Sequence, residues 1–484
     1  MRSSALRITM LMMMVVSCAR IAVSSPLVVR VDPTVRHQTM HGWGASGAWW
    51  VRWFADVPEA TQEAALRLLF TDDGADGTTG IGLDIYRFNL PAAADDRVGI
   101  PTRRTPDVET APFQYDLSRD ADNIAVLRRV HELGVRRFVL FSNSPPARMT
   151  VSGSPVGGDD GLPNLRPGLE REFARYVVDL AERIIEEANL ADSEVAISPV
   201  NEPQWEWGGK AGRRQEGCRY TPDQVTKVLR ATVLEVRERG LDLRVEGPES
   251  GSWSASRPYA EAMFDDPVIA DQIDAFALHS YWSNAEDKRS FAGWFSQAFP
   301  GKELRMTEYC HMVNGGDHGI QSGLHVARTI HEDLVIGNAT EWTWWLALGS
   351  GSYHDKLLVV DRDKHELRRS GRMLALGHWS RFIPPGSVRI AAEVEADAGH
   401  ADQQPVLVTA FHREDGRIAL VLLNETETDT RVALRFGDNA PEIANSYLTD
   451  DTRSLAAVPA GSPVVPARGL LTLVTAPISV PKGK

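Results

Sequence analysis

Short apolar segments alternate with amphipathic segments along most of this chain. The apolar segments are rich in β-branched and aromatic residues, which is typical of strands, whereas apolar residues in the other segments recur every three or four positions, which is typical of helices. Eight strand candidates occur, at 41–45, 83–90, 137–144, 194–203, 243–249, 275–282, 303–310 and 341–348. Alternating strands and helices favour an α/β fold with a parallel sheet, and eight repeats predict a closed (β/α)8 TIM barrel over residues 38–384.

The pattern changes after residue 384, where helical periodicity stops. Short strand-like runs joined by turn residues follow, at 388–395, 405–412, 417–423, 432–436 and 470–474. This texture predicts a β-sandwich side domain over residues 385–484. A strand-like run within residues 25–37 precedes the barrel, and we expect it to join that side domain.

The first 24 residues have the features of an export signal. Arg2 and Arg7 precede an apolar run over 8–16, which is too short to span a bilayer, and small residues follow it. We therefore expect a secreted or periplasmic protein whose mature chain has no transmembrane segment. Cys18 lies in a sequence similar to a bacterial lipobox, so the alternatives are a lipid anchor at Cys18 or a cysteine that falls near the cleavage site by chance.

Charge and cysteine content narrow the function classes. The formal net charge of the 484 residues is -13, and no Lys/Arg-rich run occurs, so the sequence lacks the features of a nucleic-acid binder or an anionic-membrane binder. Beyond Cys18, the chain contains Cys218 and Cys310. An oxidising compartment would allow these two to pair, but a chain of this length needs no disulfide.

Two glutamates end predicted strands, Glu202 the fourth and Glu308 the seventh. Retaining cleavage of a glycosidic bond requires one carboxylic acid that protonates the leaving oxygen and one carboxylate about 5 Å away that attacks the anomeric carbon. Strand ends around a barrel mouth can provide that separation. The positions predict Glu202 as the general acid/base and Glu308 as the nucleophile.

Other functions remain open at this point. Asn-Glu-Pro is a short motif, and either glutamate could instead cap a helix or pair with a surface arginine. A non-catalytic carbohydrate-binding barrel is an alternative, although both carboxylates are present; an esterase is not supported, because no GxSxG motif occurs. No cofactor or metal is expected, since the histidines lack ligand spacing such as HExxH and glycoside hydrolysis by two carboxylates needs no metal.

Polar residues on the same strands are candidates for binding the substrate or the nucleophile. Asn201 can bond a sugar hydroxyl beside the anomeric carbon. Arg87 lies in an apolar strand, where it needs a carboxylate partner, and Glu308 is the expected one, which would favour its ionised form. His279 and Tyr281 are two residues apart and so face the same way, although His279 could equally be a core histidine.

Tryptophans cluster around three of the predicted strands. Most buried tryptophans belong to a hydrophobic core, but indole rings at strand ends also stack on the apolar faces of sugars. Trp344 and Trp205 are the first candidates for such stacking, followed by Trp49.

Taken together, these motifs resemble glycoside hydrolase family 30 over nearly the whole mature chain. The resemblance is carried by His41-Gly-Trp-Gly, Arg87-Phe-Asn, Phe141-Ser-Asn-Ser-Pro-Pro, Asn201-Glu-Pro, Glu246-Gly-Pro-Glu, His279-Ser-Tyr and Thr307-Glu-Tyr. It implies a retaining mechanism, a polysaccharide or oligosaccharide substrate and a side β-domain, and it adds Asn143 to the substrate-binding residues.

Segments 142–146, 149–154 and 215–218 are most similar to the endo-β-1,6-galactanase branch of that family. By resemblance, the substrate is β-1,6-linked galactan, and the alternatives are β-1,6-glucanase, glucosylceramidase or xylanase activity. The sequence departs from this branch at Ala147 and Arg148, where the branch leads us to expect an aromatic residue.

Overall fold

The computed structural model describes residues 26–73, 79–92, 97–210, 212–315, 318–395, 406–437, 439–461 and 463–478. The expected export signal at 1–24 and Cys18 lie outside these ranges. None of the helices in them combines the length and the apolar character needed to cross a membrane.

The predicted (β/α)8 barrel is confirmed: over the described residues, eight parallel strands form a ring. We number them barrel strands one to eight, and they comprise Gly42–Ser46, Ile85–Leu90, Arg137–Ser142, Glu194–Ser198, Arg244–Val245 with Pro248–Ser250, Ala275–His279, Glu303–Tyr309 and Glu341–Gly349. Strand five has two short pieces, of which the first pairs with strand four and the second with strand six. Strand eight pairs with strand one, so the ring is closed.

Helices pack around the ring. Those in the described residues are Trp50–Phe54, Glu59–Phe70, Ala121–Glu132, Glu170–Ala188, Pro222–Glu238, Arg257–Asp265, Pro267–Gln272, Ala285–Ala298, Ile320–Val335 and Gly371–Ser380. Short 3-10 helices cover Pro101–Arg103, Leu117–Asp120 and Ala147–Met149. In Glu170–Ala188, Phe173, Val177, Leu180 and Ile184 are buried at intervals of three or four residues, as the sequence periodicity predicts.

A nine-stranded sheet makes up the side domain. Its strands are Leu27–Thr39, Val388–Val394, Val406–His412, Ile418–Asn424, Thr430–Phe436, Ile443–Thr449, Ala456–Ala457, Val464–Val465 and Gly469–Thr475. The first of these lies before the barrel in the chain, yet it pairs antiparallel with Val388–Val394 and parallel with Thr430–Phe436. Ile443–Thr449 is absent from the predicted strands because polar residues interrupt its apolar pattern, and Ala456–Ala457 and Val464–Val465 are absent because they are only two residues long.

Further strands extend two loops. Glu109–Ala111 and Gln114–Tyr115 form a small hairpin after strand two. Lys356–Asp361 runs parallel to strand eight and pairs with Glu366–Arg369.

Four charged residues fill the barrel near the beginnings of its strands. Arg137 lies 2.9 Å from Glu246 and 2.7 Å from Glu341, and Arg305 also contacts Glu246. All four are buried. Breaking a buried ion pair is costly, so this group stabilises the N-terminal end of the barrel. The C-terminal ends of the strands, where barrel enzymes place their active sites, lie at the opposite end.

Candidate active site

Glu202 and Glu308 meet at the C-terminal ends of the barrel strands. Glu202 follows strand four by four residues, and Glu308 is the penultimate residue of strand seven. One oxygen of each carboxylate and one ring nitrogen of His279 all lie within 4.8 Å of one another. This proximity fits a retaining pair, whose carboxyl groups lie about 5 Å apart and leave no room for the intervening water of an inverting enzyme.

The backbone around Glu202 is specialised. Glu202 has a φ of 44°, in the left-handed region that non-glycine residues seldom adopt, and its N–H donates to the carbonyl of Glu249 at 2.9 Å. Such conformations persist where the surroundings hold them, which is common at active sites. This backbone bond ties the end of strand four to strand five.

Both oxygens of Glu308 accept hydrogen bonds from buried donors. Arg87 donates to Oε2 at 2.8 Å, so the contact predicted from the sequence is present. The Tyr281 hydroxyl donates to Oε1 at 2.9 Å. Arg87 is itself completely buried, with its guanidinium 4.2 Å from the centroid of Phe141, and has no surface open to a sugar. Its contacts are with carboxylates, which corrects the prediction that it binds substrate.

A third carboxylate, Glu249, lies beneath the pair. It is fully buried in strand five, accepts a hydrogen bond from Ser198 at 3.0 Å and one from the Thr307 hydroxyl, and lies 3.5 Å from Arg87. Burial alone would raise the pKa of Glu249, but Arg87, His279 and Thr307 outweigh burial and lower the pKa to about 2.

His279 connects the three carboxylates. Its Nε2 is 3.0 Å from Glu249, and its Nδ1 is 3.4 Å from Glu202 and 3.7 Å from Glu308. Burial opposes a charge on this ring, but Glu308, Glu202 and Glu249 outweigh it and raise the pKa of His279 to about 9. The side chain is fully buried, so it faces carboxylates on both sides and not a sugar, which corrects its predicted role in substrate binding.

Glu202 differs from Glu308 in its surroundings. Burial raises the pKa of Glu202, and repulsion by Glu308 adds to that rise, while the hydrogen bond with His279 opposes it. The side chain of Glu202 keeps 12% of its exposure, against 6% for Glu308. A carboxyl group with a raised pKa at the more open position is suited to donate a proton.

Three asparagine amides form a chain along the mouth of the barrel. Asn201 donates to Asn143 at 3.0 Å, and Asn143 donates to Asn89 at 2.8 Å. Oδ1 of Asn201 is buried and accepts no hydrogen bond within the described part of the chain. An unsatisfied buried acceptor next to Glu202 is a position for a ligand hydroxyl.

Two exposed tryptophans, Trp205 and Trp282, stack on each other next to the segment that follows Glu202. The rings of Trp205 and Trp282 have centroids 5.0 Å apart and planes within 5° of parallel. Trp205 is 38% exposed and Trp282 58% exposed. The N–H of Trp205 donates to the Glu202 carbonyl at 3.1 Å, and Trp282 packs on Tyr281. We call Trp205 and Trp282 the indole platform.

The other two predicted aromatic contacts have different outcomes. Trp344 is completely buried and donates to the Asp355 carbonyl at 2.9 Å, so no face of its ring is open to a sugar and the stacking prediction is wrong. Its neighbour Trp345 turns the opposite way, against Phe141 and Trp49. Trp49 is half-buried, and Arg103 covers one face of its ring at 4.2 Å from the centroid.

Glu202, His279 and Glu308 form the one group in the described ranges whose donor atoms are close enough to share a metal ion. Arg87 already places a cation 2.8 Å from Glu308, and the raised pKa of His279 favours a protonated ring, which is not a metal ligand. The donor set is therefore better suited to proton transfer than to metal binding.

Cys218 and Cys310 are both buried and both free, so the open question of a disulfide between them is decided against it. The Tyr281 hydroxyl lies 3.7 Å from Sγ of Cys310. Burial raises the pKa of both thiols, to about 12 for Cys218, which makes them unreactive.

Four residues of this site were assigned no individual role from the sequence. Asn89 and Glu249 lie within the motifs Arg87-Phe-Asn and Glu246-Gly-Pro-Glu, and Trp282 and Trp345 directly follow Tyr281 and Trp344, so this proximity was the available signal.

Comparison with known proteins places the chain among glycosidases. The family profile described as O-glycosyl hydrolase family 30 matches residues 26–285 and 279–359, and that described as glycosyl hydrolase family 30 beta sandwich domain matches residues 386–472.

Individual relatives are distant in sequence. An endo-β-1,6-galactanase of Hypocrea rufa is 24% identical over 405 residues, which cover 78% of this chain and 80% of the relative. A glucuronoxylanase of Bacillus subtilis is 23% identical over 319 residues, or 64% of this chain and 66% of the relative. A solved conserved exported protein from Bacteroides fragilis has a TM-score of 0.81 at 23% identity and covers 92% of this chain and 100% of its own.

Proposed function

Because the chain belongs to glycoside hydrolase family 30, whose mechanism is retaining, we propose that it hydrolyses β-1,6-linked galactan with Glu308 as nucleophile and Glu202 as general acid/base. The observation that carries this proposal is the proximity of the two carboxylates, whose oxygens lie within 4.8 Å. Glu308 is held by Arg87 and Tyr281, while Glu202 has a raised pKa, so the two groups are suited to different roles.

The reaction has two steps. In the first, Glu308 attacks the anomeric carbon while Glu202 gives its proton to the leaving oxygen, and the glycosidic bond breaks. In the second, Glu202 takes a proton from water, and the water oxygen displaces Glu308 from the anomeric carbon. Two inversions at that carbon give net retention.

Asn201 provides a contact for the sugar in this mechanism. Its free Oδ1 accepts a hydrogen bond from a sugar hydroxyl, while Asn143 and Asn89 fix the orientation of the amide. Hydrogen bonds to the hydroxyl beside the anomeric carbon strengthen in the transition state, so this contact contributes to rate as well as to affinity.

The indole platform binds the leaving-group side of the substrate. Glu202 protonates the leaving oxygen, so the sugar that departs lies next to it, and Trp205 is joined to Glu202 by a backbone hydrogen bond. Exposed parallel indoles offer a flat apolar surface on which a pyranose ring can stack. Trp345 contacts both Trp49 and Phe141, and Phe141 packs on Arg87, so we assign the half-buried Trp49 to the other side of the bound substrate.

We propose galactan and not xylan as the substrate because the Hypocrea rufa relative, an endo-β-1,6-galactanase, matches over 78% of this chain. Xylanase activity is the alternative, since the Bacillus subtilis relative is a glucuronoxylanase. The test is to incubate the purified protein with de-arabinosylated arabinogalactan, β-1,6-glucan, xylan and glucosylceramide, and to identify products by mass spectrometry. β-1,6-Galacto-oligosaccharides of several lengths are expected. Release of xylo- or gluco-oligosaccharides without galacto-oligosaccharides would contradict the galactanase proposal.

We also propose that the protein is exported, on the strength of the signal-like residues 1–24. Mass spectrometry of the protein recovered from expressing cells would decide between cleavage alone and lipid attachment at Cys18. A chain that retains Met1 and stays in the cytoplasm would contradict export.

A further inference from the structure

The two-carboxylate mechanism assigns no role to Glu249, although Glu249 is the most deeply enclosed carboxylate of the site. Hydroxyls of Ser198 and Thr307 donate to it from strands four and seven, and Arg87 faces it from strand two. His279, from strand six, is the fourth partner of Glu249, with its Nε2 3.0 Å from a carboxylate oxygen of Glu249. A buried carboxylate with this many partners holds its position rigidly, because moving it would leave several polar groups unpaired.

The charges of the cluster balance only if His279 is protonated. Arg87 is positive, and Glu249 and Glu308 are negative, while Glu202 is neutral before it donates its proton. A neutral His279 would leave one negative charge uncompensated in a buried site, whereas an imidazolium brings the sum to zero. Buried charges without compensation are costly, so the arrangement favours the imidazolium.

We propose that Glu249 is a positioning residue that keeps His279 as an imidazolium, with Nε2–H bonded to Glu249 and Nδ1–H directed between Glu202 and Glu308. The inference rests on the proposed roles of those two glutamates. It gives Glu249 an effect on the reaction through His279, without any contact between Glu249 and substrate.

The geometry matches the movement of charge in the reaction. Before bond cleavage, the negative charge is on Glu308; after it, Glu308 is esterified to the sugar, and Glu202, having given its proton to the leaving oxygen, carries the charge. Nδ1 of His279 lies 3.7 Å from Glu308 and 3.4 Å from Glu202, so one N–H serves either carboxylate after a small shift. His279 keeps both of its protons throughout, and no further proton donor is required.

Glu249 prevents the alternative in which His279 loses a proton to Glu202. The ionisable groups that face His279 in the described part of the chain are Glu202, Glu249, Glu308 and Tyr281, with Arg87 behind the carboxylates. Only Glu249 is on the Nε2 side of the ring. Its lowered pKa and the raised pKa of His279 agree with an ion pair between them.

The direct test is nitrogen-15 NMR of the histidine side chains in the wild-type protein, with His279 assigned by comparison with His279→Gln. We expect both ring nitrogens of His279 to give signals of a protonated ring at pH 7, and the titration to occur near pH 9. A neutral ring at pH 7 in the wild type would overturn the proposal, and this measurement requires no variant of Glu249 to fold.

Variants of Glu249 then test the cause. Glu249→Gln should make His279 neutral at pH 7, and Glu249→Asp, which keeps the charge, should restore the protonated ring. The matched control is Glu246→Gln, which removes another buried carboxylate from the same strand region but at the N-terminal end of the barrel. An unchanged His279 titration in Glu249→Gln, or the same shift in the control, would refute the role of Glu249.

Kinetics separate this proposal from the assignment of the catalytic pair. Glu249→Gln should lower kcat by roughly ten-fold or more with a much smaller change in KM, and Glu249→Asp should recover part of the loss. Wild-type kcat in a folded Glu249→Gln protein would contradict a role in the reaction. If the roles of Glu202 and Glu308 proved to be exchanged, the NMR measurement would still decide whether His279 is protonated, because it does not depend on which glutamate is the nucleophile.

Discussion

Arg87 donates a 2.8 Å hydrogen bond to Oε2 of Glu308, and the guanidinium is entirely withdrawn from solvent. Arg87→Met should therefore leave Glu308 and Glu249 without their cation and lower the free energy of unfolding by about 3–5 kcal/mol, as for other broken buried pairs. Urea denaturation measures this loss, and hydrolysis should be abolished as well. Arg52→Met, at an exposed position, is the control. An equal loss of stability in that variant would contradict the claim that the buried contacts of Arg87 stabilise the fold.

The catalytic roles can be separated with activated substrates. Glu308→Gln should abolish hydrolysis of every substrate, since no glycosyl-enzyme forms without the nucleophile. Glu202→Gln should retain the first step on aryl glycosides whose leaving group needs no proton, and added azide should restore turnover and give a glycosyl azide of retained configuration. The half-buried Glu206→Gln is the matched control on the same loop. Azide rescue of the Glu308 variant alone, with inverted product, would exchange the two roles.

The indole platform should matter only when a sugar occupies the leaving-group side. Trp282→Ala should lower kcat/KM for the polysaccharide by about ten-fold, which corresponds to the loss of one stacking contact, and should leave hydrolysis of a glycosyl fluoride, whose leaving group is a single atom, unchanged. Trp294→Ala, which removes a half-buried indole from an outer helix, should affect neither substrate. An equal loss on both substrates after Trp282→Ala would contradict the placement of the platform.

His279 should make the stability of the protein depend on pH in the alkaline range. Its folded pKa, about 9, is raised above the ordinary value of 6.5, so its charged contacts contribute fully below pH 6.5 and are lost as the pH rises through 9. The difference in unfolding free energy between the wild type and His279→Gln should therefore shrink between pH 6.5 and 9. A difference that stays constant or grows over this range would contradict the raised pKa of His279 in the folded protein.

The cysteines should behave as inert thiols. The native protein should react with a thiol reagent at pH 8 only very slowly, because burial raises the pKa of Cys218 and Cys310. Unfolding without reductant should release both for titration. Absence of free thiols in the unfolded, unreduced chain would mean that the two had formed a bond.

The barrel and the catalytic pair could be predicted because both have local signatures. Each barrel strand is buried on both faces and therefore forms a continuous apolar run, and Glu202 and Glu308 stand at the ends of such runs. The same property explains the error at Trp344. Every residue of strand eight is buried, so no polar alternation distinguishes the inward face, and Trp344 and Trp345 cannot be told apart by pattern.

The role of Glu249 could not be predicted for a different reason. Its partners Ser198, His279 and Thr307 are 51, 30 and 58 residues away in the chain. No local spacing encodes such contacts, and Glu246, in the same motif, is a carboxylate with a structural position at the other end of the barrel. Glu249 and Glu246 can be distinguished only once the barrel is formed and brings their different partners together.

The strand Leu27–Thr39 has a consequence for how the chain is made. It leaves the ribosome before any part of the barrel, but its partners, Val388–Val394 and Thr430–Phe436, are synthesised only after the barrel is complete. Until then, its backbone has unpaired edges that can associate with other chains. The last-made segment of the polypeptide must therefore return to its first-made strand, so a ribosome that stops early should release a product prone to aggregation and not a working barrel.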